Sequence, residues 1–270
     1  MNETIDYKAQ AKKLWNNDPC GAVYAREFEQ GTKEFYEKVE AYRYNDYAPW
    51  IKKFVPFSEF KGKKVLEIGA GLGTDLLQFA RAGAFCTDLD LSETHLELAQ
   101  KRFALYGFTG TFVLGDAENL PFDDSSFDGV FSNGVLHHTP NTQKAIDEVY
   151  RVLKPNGKAM IMLYHKQSFF YWYHLVFGKG IVGGLYRKGF TTQDLLNRFV
   201  EYTESDALPL VKCYTKAECK QMFSKFKSID LKVCQFTKSD IPYIGKFTPQ
   251  FIIDALGSVI GWNIYITAVK

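Results

Sequence analysis

Cysteine is scarce in this 270-residue chain: Cys20, Cys86, Cys213, Cys219 and Cys234 are the five, and none forms a C-x-x-C pair. That removes thiol-rich zinc and redox centres. The count is odd and no secretory apolar stretch opens the sequence, so a reducing, cytoplasmic setting is expected. Histidine offers no substitute. His137 and His138 are adjacent, no Cys/His spacing completes a shell, and no metal is expected. Long apolar runs are missing too. The greasiest window, 251–269, is interrupted by Asp254, Gly257, Gly261 and Asn263, and reads as helix, turn and strand, with no transmembrane segment. Charge of one sign is lacking: 33 basic against 31 acidic residues leave +2, which predicts no bulk attraction to nucleic acid. Repeats and low-complexity segments are absent. Apolar residues are not lacking, at 46%, so a core for one large domain, or a domain with an insertion, is within reach. Aromatics reach 16%, many of them outside residues 61–165, which hints at an aromatic-lined pocket.

The chain is organised around residues 63–75. Val65, Leu66 and Ile68 form a short apolar run that reads as a buried parallel strand. Gly69, Gly71 and Gly73 follow, then Leu76, Leu77, Phe79 and Ala80 at helical spacing. Strand, glycine turn and helix bring backbone close to a ligand, with free N–H groups at the helix start. A phosphate-binding loop needs Lys and Ser/Thr after the last glycine, whereas Thr74 and Asp75 stand there. The spacing is G-x-G-x-G, not the G-x-G-x-x-G of dinucleotide sites. Glu67, at the carboxyl end of the strand, favours a cationic group. S-adenosylmethionine, with its ammonium, sulfonium and carboxylate, suits an acidic pocket beside such a turn.

This stretch resembles the first motif of class I S-adenosylmethionine-dependent methyltransferases, and the resemblance continues in order to about residue 165. Residues 85–92 look like the second strand, with Asp90 placed like the ribose-binding acid and Leu91 beside it; Asp88 departs from the small residue usual at its position. Residues 115–122 look like the adenine-contacting loop, and 127–138 like the fourth strand and the loop after it. The resemblance implies S-adenosylmethionine as cofactor, with S-adenosylhomocysteine as product. It implies main-chain contacts from Gly69, Ala70, Gly71 and Gly73, and Glu67 behind them. Asp116 would accept from the adenine amino group, Ala117 would offer its N–H to a ring nitrogen, and Glu118 would sit beside them. Ser132, Asn133 and Gly134 would line the methyl side.

The fold implied is α/β: a Rossmann-like, seven-stranded, mostly parallel sheet with helices on both faces. Residues 1–60 should form an N-terminal helical cap, with helices near 3–16 and 32–44. Residues 61–165 should be the cofactor-binding core, with strands near 111–114 and 158–164 and Ser92 capping the helix between the second and third strands. Residues 166–227 should be an inserted aromatic and helical cap over the substrate, with helices near 191–199 and 216–226. Residues 228–270 should return to the sheet, the last strand, 262–269, antiparallel and inserted between its neighbours. By the resemblance, the N-terminal helical segment covers the cofactor. Tyr36, Arg43 and Tyr44 are then candidates at the methionine end, Arg43 for its carboxylate. Substrate contacts are expected from Tyr36, Tyr164, His165, Phe169 and Trp172.

The expected reaction is displacement at the sulfonium methyl by a small-molecule acceptor, chiefly through positioning. His137 or His138, after the fourth strand, is the candidate base, with only one of the two facing the pocket. The Asn/Asp-Pro-Pro-aromatic signature of enzymes acting on DNA bases is absent from 125–140. Two other readings stand against this one: a non-catalytic cofactor-binding module acting through a protein partner, and a nicotinamide enzyme, disfavoured by the glycine spacing and Glu67.

Overall fold

The computed structural model describes residues 5–201 and 206–270. Among the described residues eight strands form one sheet: β1 (Lys64–Ile68), β2 (Phe85–Asp90), β3 (Thr111–Leu114), β4 (Phe127–Asn133), β5 (Leu153–His165), β6 (Cys213–Tyr214), β7 (Ser228–Cys234) and β8 (Asn263–Val269). Their order is β3-β2-β1-β4-β5-β8-β7, with β6 pairing β5 off that path. All pairs from β3 to β5 are parallel, and β8 runs antiparallel to both β5 and β7. The inserted antiparallel strand is as expected. The strand count is not: the sheet has eight strands against the seven anticipated. The extra one is the two-residue β6, which pairs with Tyr164 and His165 beyond Met162, the last β5 residue paired with β4. Two residues carry no readable alternation, so sequence pattern could not reveal it.

Helices fill both faces. They are α1 (Tyr7–Asn17), α2 (Lys33–Tyr42), α3 (Ile51–Phe54), α4 (Thr74–Arg81), α5 (Glu93–Leu105), α6 (Thr142–Val152), α7 (Thr192–Phe199), α8 (Lys216–Met222) and α9 (Gln250–Ile260), with a π-helix at Phe170–Val182. Strand β5 shows why two layers form. Met160, Met162 and Tyr164 alternate to one side, against α4 and the π-helix, while Ala159, Ile161 and Leu163 face α6 and α8 on the other. Residues 166–227 are divided between the two faces of the sheet. The π-helix and α7 pack on the α4 side through Tyr171, Leu175, Leu195 and Leu196, whereas Cys219, Phe223 and Phe226 join the opposite core.

Local chemistry places the element ends. Ser92 caps α5 by accepting from His95 N at 3.1 Å. Thr191 with Asp194, and Thr215 with Glu218, form capping boxes at α7 and α8. Pro155 and Gly157 bar α6 from continuing, and the chain enters β5 directly at Leu153, earlier than expected, because Leu153 pairs with Phe127. Between β1 and α4, Gly69 and Gly71 sit in the left-handed region at φ +75° and +56°. A side chain on Gly69 would also overlap Val135. The sheet order reverses between β2-β1 and β4, and a crevice opens there beyond the carboxyl ends of the strands.

Candidate active site

That crevice is a cavity of about 760 Å³, walled by the ends of β1, β2 and β4, by the N-terminal helices and by the segment before β8. Of the residues expected at the cofactor, Glu67, Gly69, Ala70, Gly71, Asp90, Leu91, Asp116, Ala117, Asn133, Gly134 and Arg43 line it. Gly73 lies behind the turn, against Ala99, and Glu118 lies outside the lining.

The turn is held by the two acids of β2. Ala70 N donates to Asp88 Oδ1 at 3.2 Å, and Gly71 N donates to Asp90 Oδ2 at 3.3 Å. Asp90 also accepts from Ser92 N at 2.9 Å and lies 3.1 Å from His95 Nδ1. A carboxylate has about four lone-pair sites, so one remains for a ribose hydroxyl, and a second hydroxyl must share or displace the histidine. Asp88 is fully buried outside the lining, which gives it the task of bracing the turn.

Acidity is concentrated under the turn. Glu67 is buried, and its Oε2 has no hydrogen-bond partner. Burial, reinforced by the negative charge of Asp75 and Asp88, pushes its carboxyl well above the usual range. Asp88 is raised likewise, by burial and then by Asp90. Asn133 Oδ1 is also buried without a partner. Two orphaned oxygen acceptors on one acidic wall fit a ligand that brings cations and N–H groups.

The N-terminal segment closes this end. Lys8 of α1 reaches Asp116 at 2.6 Å and Glu118 at 2.8 Å, so Asp116 Oδ2 is already engaged. Glu118 accepts from Asn141 N at 2.6 Å and ties the adenine-side loop to the start of α6. Asn16 binds Glu93, Ser92 and Thr94, fixing α1 over the crevice. Arg43 lines the cavity as expected, yet it is ion-paired with Asp75, which also accepts from Tyr44 Oη at 2.7 Å. A cofactor carboxylate would have to share that guanidinium.

The opposite end is aromatic. Tyr47, Tyr164, Phe170 and Trp262 line it together with His138 and Glu201. Tyr164 and Trp262 stack at 4.5 Å, and Phe170 lies 4.7 Å from Trp262. Tyr164 donates to Glu201 Oε1 at 2.7 Å, and His138 Nε2 lies 3.4 Å from the same oxygen. His138 Nδ1 is 2.7 Å from the Leu210 carbonyl, which can only accept, so that nitrogen carries the hydrogen. Burial raises the Glu201 carboxyl, and His138 and Tyr164 more than offset it, leaving it below its usual range.

Of the two histidines, only His138 reaches the lining; His137 is buried behind it and stacks on Tyr164 at 3.8 Å. Burial, aided by His138, holds His137 well below the usual histidine range, so it is neutral. Several residues expected at the substrate point elsewhere. Tyr36 is buried away from the cavity, its hydroxyl donating to Leu98 O at 2.6 Å, because α2 turns that face into the core. His165 Nδ1 meets Gly261 O at 3.0 Å outside the lining. Phe169 stacks on Tyr173, and Trp172 is 56% exposed on the outer side of the π-helix. Phe170 replaces them in the wall. Sequence reading missed Lys8, Tyr47, Glu201 and Trp262. None lies in a motif, and each arrives from a segment joined to the site only by folding.

Comparison with known proteins agrees with this geometry. Sheet order, glycine turn and strand-end acids follow the arrangement of class I S-adenosylmethionine-dependent methyltransferase cores, which this chain's core resembles. More particularly, residues 66–161 match a family described as a methyltransferase domain. The demethylmenaquinone methyltransferase of Clavibacter sepedonicus is 40% identical over 100 residues, 37% of this chain and 40% of that protein. The phthiotriol/phenolphthiotriol dimycocerosates methyltransferase of Mycobacterium tuberculosis is 44% identical over 98 residues, 36% of each protein. The match thus spans well under half of these relatives. Among solved structures, methyltransferases from Methanosarcina mazei and Mesorhizobium loti share the fold, each at TM-score 0.55 and covering 82% of this chain. They cover 97% and 96% of their own lengths, at 20% and 16% identity.

Proposed function

We propose that the protein is an S-adenosylmethionine-dependent methyltransferase acting on a small-molecule acceptor. The observation that carries this reading is the convergence of Glu67, Asp90, Asp116, Asn133 and the glycine turn on one cavity that ends in aromatic rings. Glu67 and Asn133 would hold the cationic methionine end, Asp90 the ribose, and Asp116 with Ala117 the adenine. When bound, the cofactor supplies a methyl group activated on sulfur and open to in-line displacement. The chain's part is to orient both partners and exclude water, with α1 as the cover. At the acceptor end, His138 Nε2 and Glu201 offer lone pairs to the hydrogen of an acceptor hydroxyl or amine.

The acceptor class we favour is apolar and partly aromatic. Tyr47, Phe170 and Trp262 supply the walls. The segment running on from the lining residues Thr237 and Asp240 exposes Tyr243, Ile244, Phe247 and Phe251. The two relatives named above are named for small-molecule acceptors, demethylmenaquinone and phthiotriol/phenolphthiotriol dimycocerosates. No helix among the described residues is long and apolar enough to cross a membrane. The test is a screen of metabolite and lipid extracts with the purified chain and methyl-labelled cofactor, read by mass spectrometry. A cofactor-dependent gain of one methyl on an extractable small molecule is expected. Tight cofactor binding with no methylated product in any extract would favour a non-catalytic binding module instead.

A further inference from the structure

The acceptor end contains three metal-type ligands that the sequence did not reveal. His137, His138 and Glu201 bring their ligating atoms within 4.8 Å of one another. Adjacent histidines were expected to diverge, yet the tight turn they share, Leu136–His138, places their rings 4.3 Å apart. The third ligand comes from just beyond α7.

His138 Nδ1 is held by Leu210 O at 2.7 Å, and its Nε2 is turned toward Glu201 Oε1 at 3.4 Å. His137 is fully buried, and neither of its ring nitrogens has a partner among the described residues. Tyr164 donates its only hydrogen to Glu201 and does not relieve the histidines. Three ligand-type side chains converging in the interior, one of them a histidine with both nitrogens unpaired, describe a site for a cation. The Nδ1–H to carbonyl contact of His138 is the kind of outer support that metal-ligating histidines have.

We infer that His137, His138 and Glu201 bind one first-row divalent cation at the acceptor end of the cavity. Two imidazoles and a carboxylate suit zinc or iron(II) over magnesium or calcium, which prefer all-oxygen shells. Zinc–nitrogen distances of about 2.0–2.1 Å require the ligand atoms to draw closer together than they stand. Three protein ligands leave a coordination position for the cavity. If the methyltransferase reading holds, an oxygen of the acceptor takes that position, which points to phenolic or other hydroxyl acceptors.

The test is a titration of the full chain, stripped by chelator, with Co²⁺ followed by visible absorption, and with Zn²⁺ in competition. One equivalent with the spectrum of mixed nitrogen and oxygen ligation is expected, and a competing equivalent of Zn²⁺ should erase it. His138→Ala and Glu201→Gln should each weaken binding by tenfold or more while S-adenosylmethionine still binds, which certifies the fold. His174→Ala, on the π-helix, should change nothing. Wild-type protein that takes up no stoichiometric Co²⁺, or variants that bind it as tightly as wild type, would overturn the site. The wild-type titration decides the matter even if a variant fails to fold. It reads neither the cofactor nor methyl transfer, so its failure would leave the proposed activity standing.

Discussion

Replacing Asp90 by alanine probes the cofactor assignment most sharply. In the free protein its carboxylate accepts from Gly71 N and Ser92 N and lies beside His95, and it keeps about one lone-pair site toward the cavity. Asp90→Ala strips the ribose of that acceptor and leaves the backbone N–H groups of Gly71, in the turn, and Ser92, at the start of α5, unpaired. One charge-assisted hydrogen bond is worth about 1.5–3 kcal/mol, so affinity for S-adenosylmethionine should fall by about 10- to 150-fold. Loosening of the turn adds to this loss and should appear as a lower melting temperature. Isothermal calorimetry with S-adenosylmethionine and S-adenosylhomocysteine, on protein shown to be folded, measures the effect. Both ligands carry the same ribose, so both should lose affinity alike. Unchanged affinity for either would refute the placement of the ribose at Asp90.

Glu67 is pushed well above the usual carboxyl range by burial and by Asp75 and Asp88, and a bound cation should drive it to ionise. Cofactor binding is therefore expected to release protons and to tighten as pH rises through that raised value; calorimetry in two buffers of different ionisation enthalpy measures this. Glu67→Gln should remove most of the proton release, and heats independent of buffer in wild type would contradict the assignment. Gly69→Ala forces a side chain into the left-handed region and against Val135. The backbone term alone is about 1–2 kcal/mol, or a fall of about 2–8 °C in melting temperature, and a neutral effect would show the turn to be misdrawn. Glu148 accepts from Arg151 and from Leu120 N, and these contacts, Arg151 first, hold its carboxyl below the usual range. Its stabilisation is fully present above the unfolded value near 4.3 and is lost as pH falls through the lower folded value. Glu148→Gln should cost about 0.5–1 kcal/mol at neutral pH after solvent screening, and the difference should vanish in thermal melts once pH has fallen below the lowered folded value.

The core was legible because its signals are local. A short apolar run, glycines that need left-handed backbone, and acids at strand ends are each set by neighbours in the chain, so Glu67, Gly69, Gly71, Asp90 and Asp116 could be read in order. The antiparallel β8 followed from the same resemblance. What escaped notice depends on distant pieces meeting. Residues 166–227 read from composition as one aromatic cap, and in the fold α8 buries Cys219 on one face while the π-helix buries Tyr171 on the other. Phe169 and Trp172 were chosen from a dense aromatic run, in which composition does not say which ring turns inward; Phe170 is the one that does. Tyr36 shares helical spacing with Arg43, yet the chain passes from α2 into a π-turn at Arg43–Tyr47, so the two side chains part. The Arg43–Asp75 ion pair joins residues 32 positions apart, so no local pattern announces it. Glu201 carries no signal at all until folding sets it beside His138.

The central claim is that these strand ends form the seat of S-adenosylmethionine. A crystal structure of the chain grown with S-adenosylhomocysteine tests it directly. The account predicts the adenine beside Asp116 and Ala117, the ribose on Asp90 and the amino-acid end over Gly69 and Gly71 near Glu67, with the sulfur facing Tyr164 and His138. Density for the ligand anywhere else, or a saturated crystal with this cavity filled only by solvent, would contradict it.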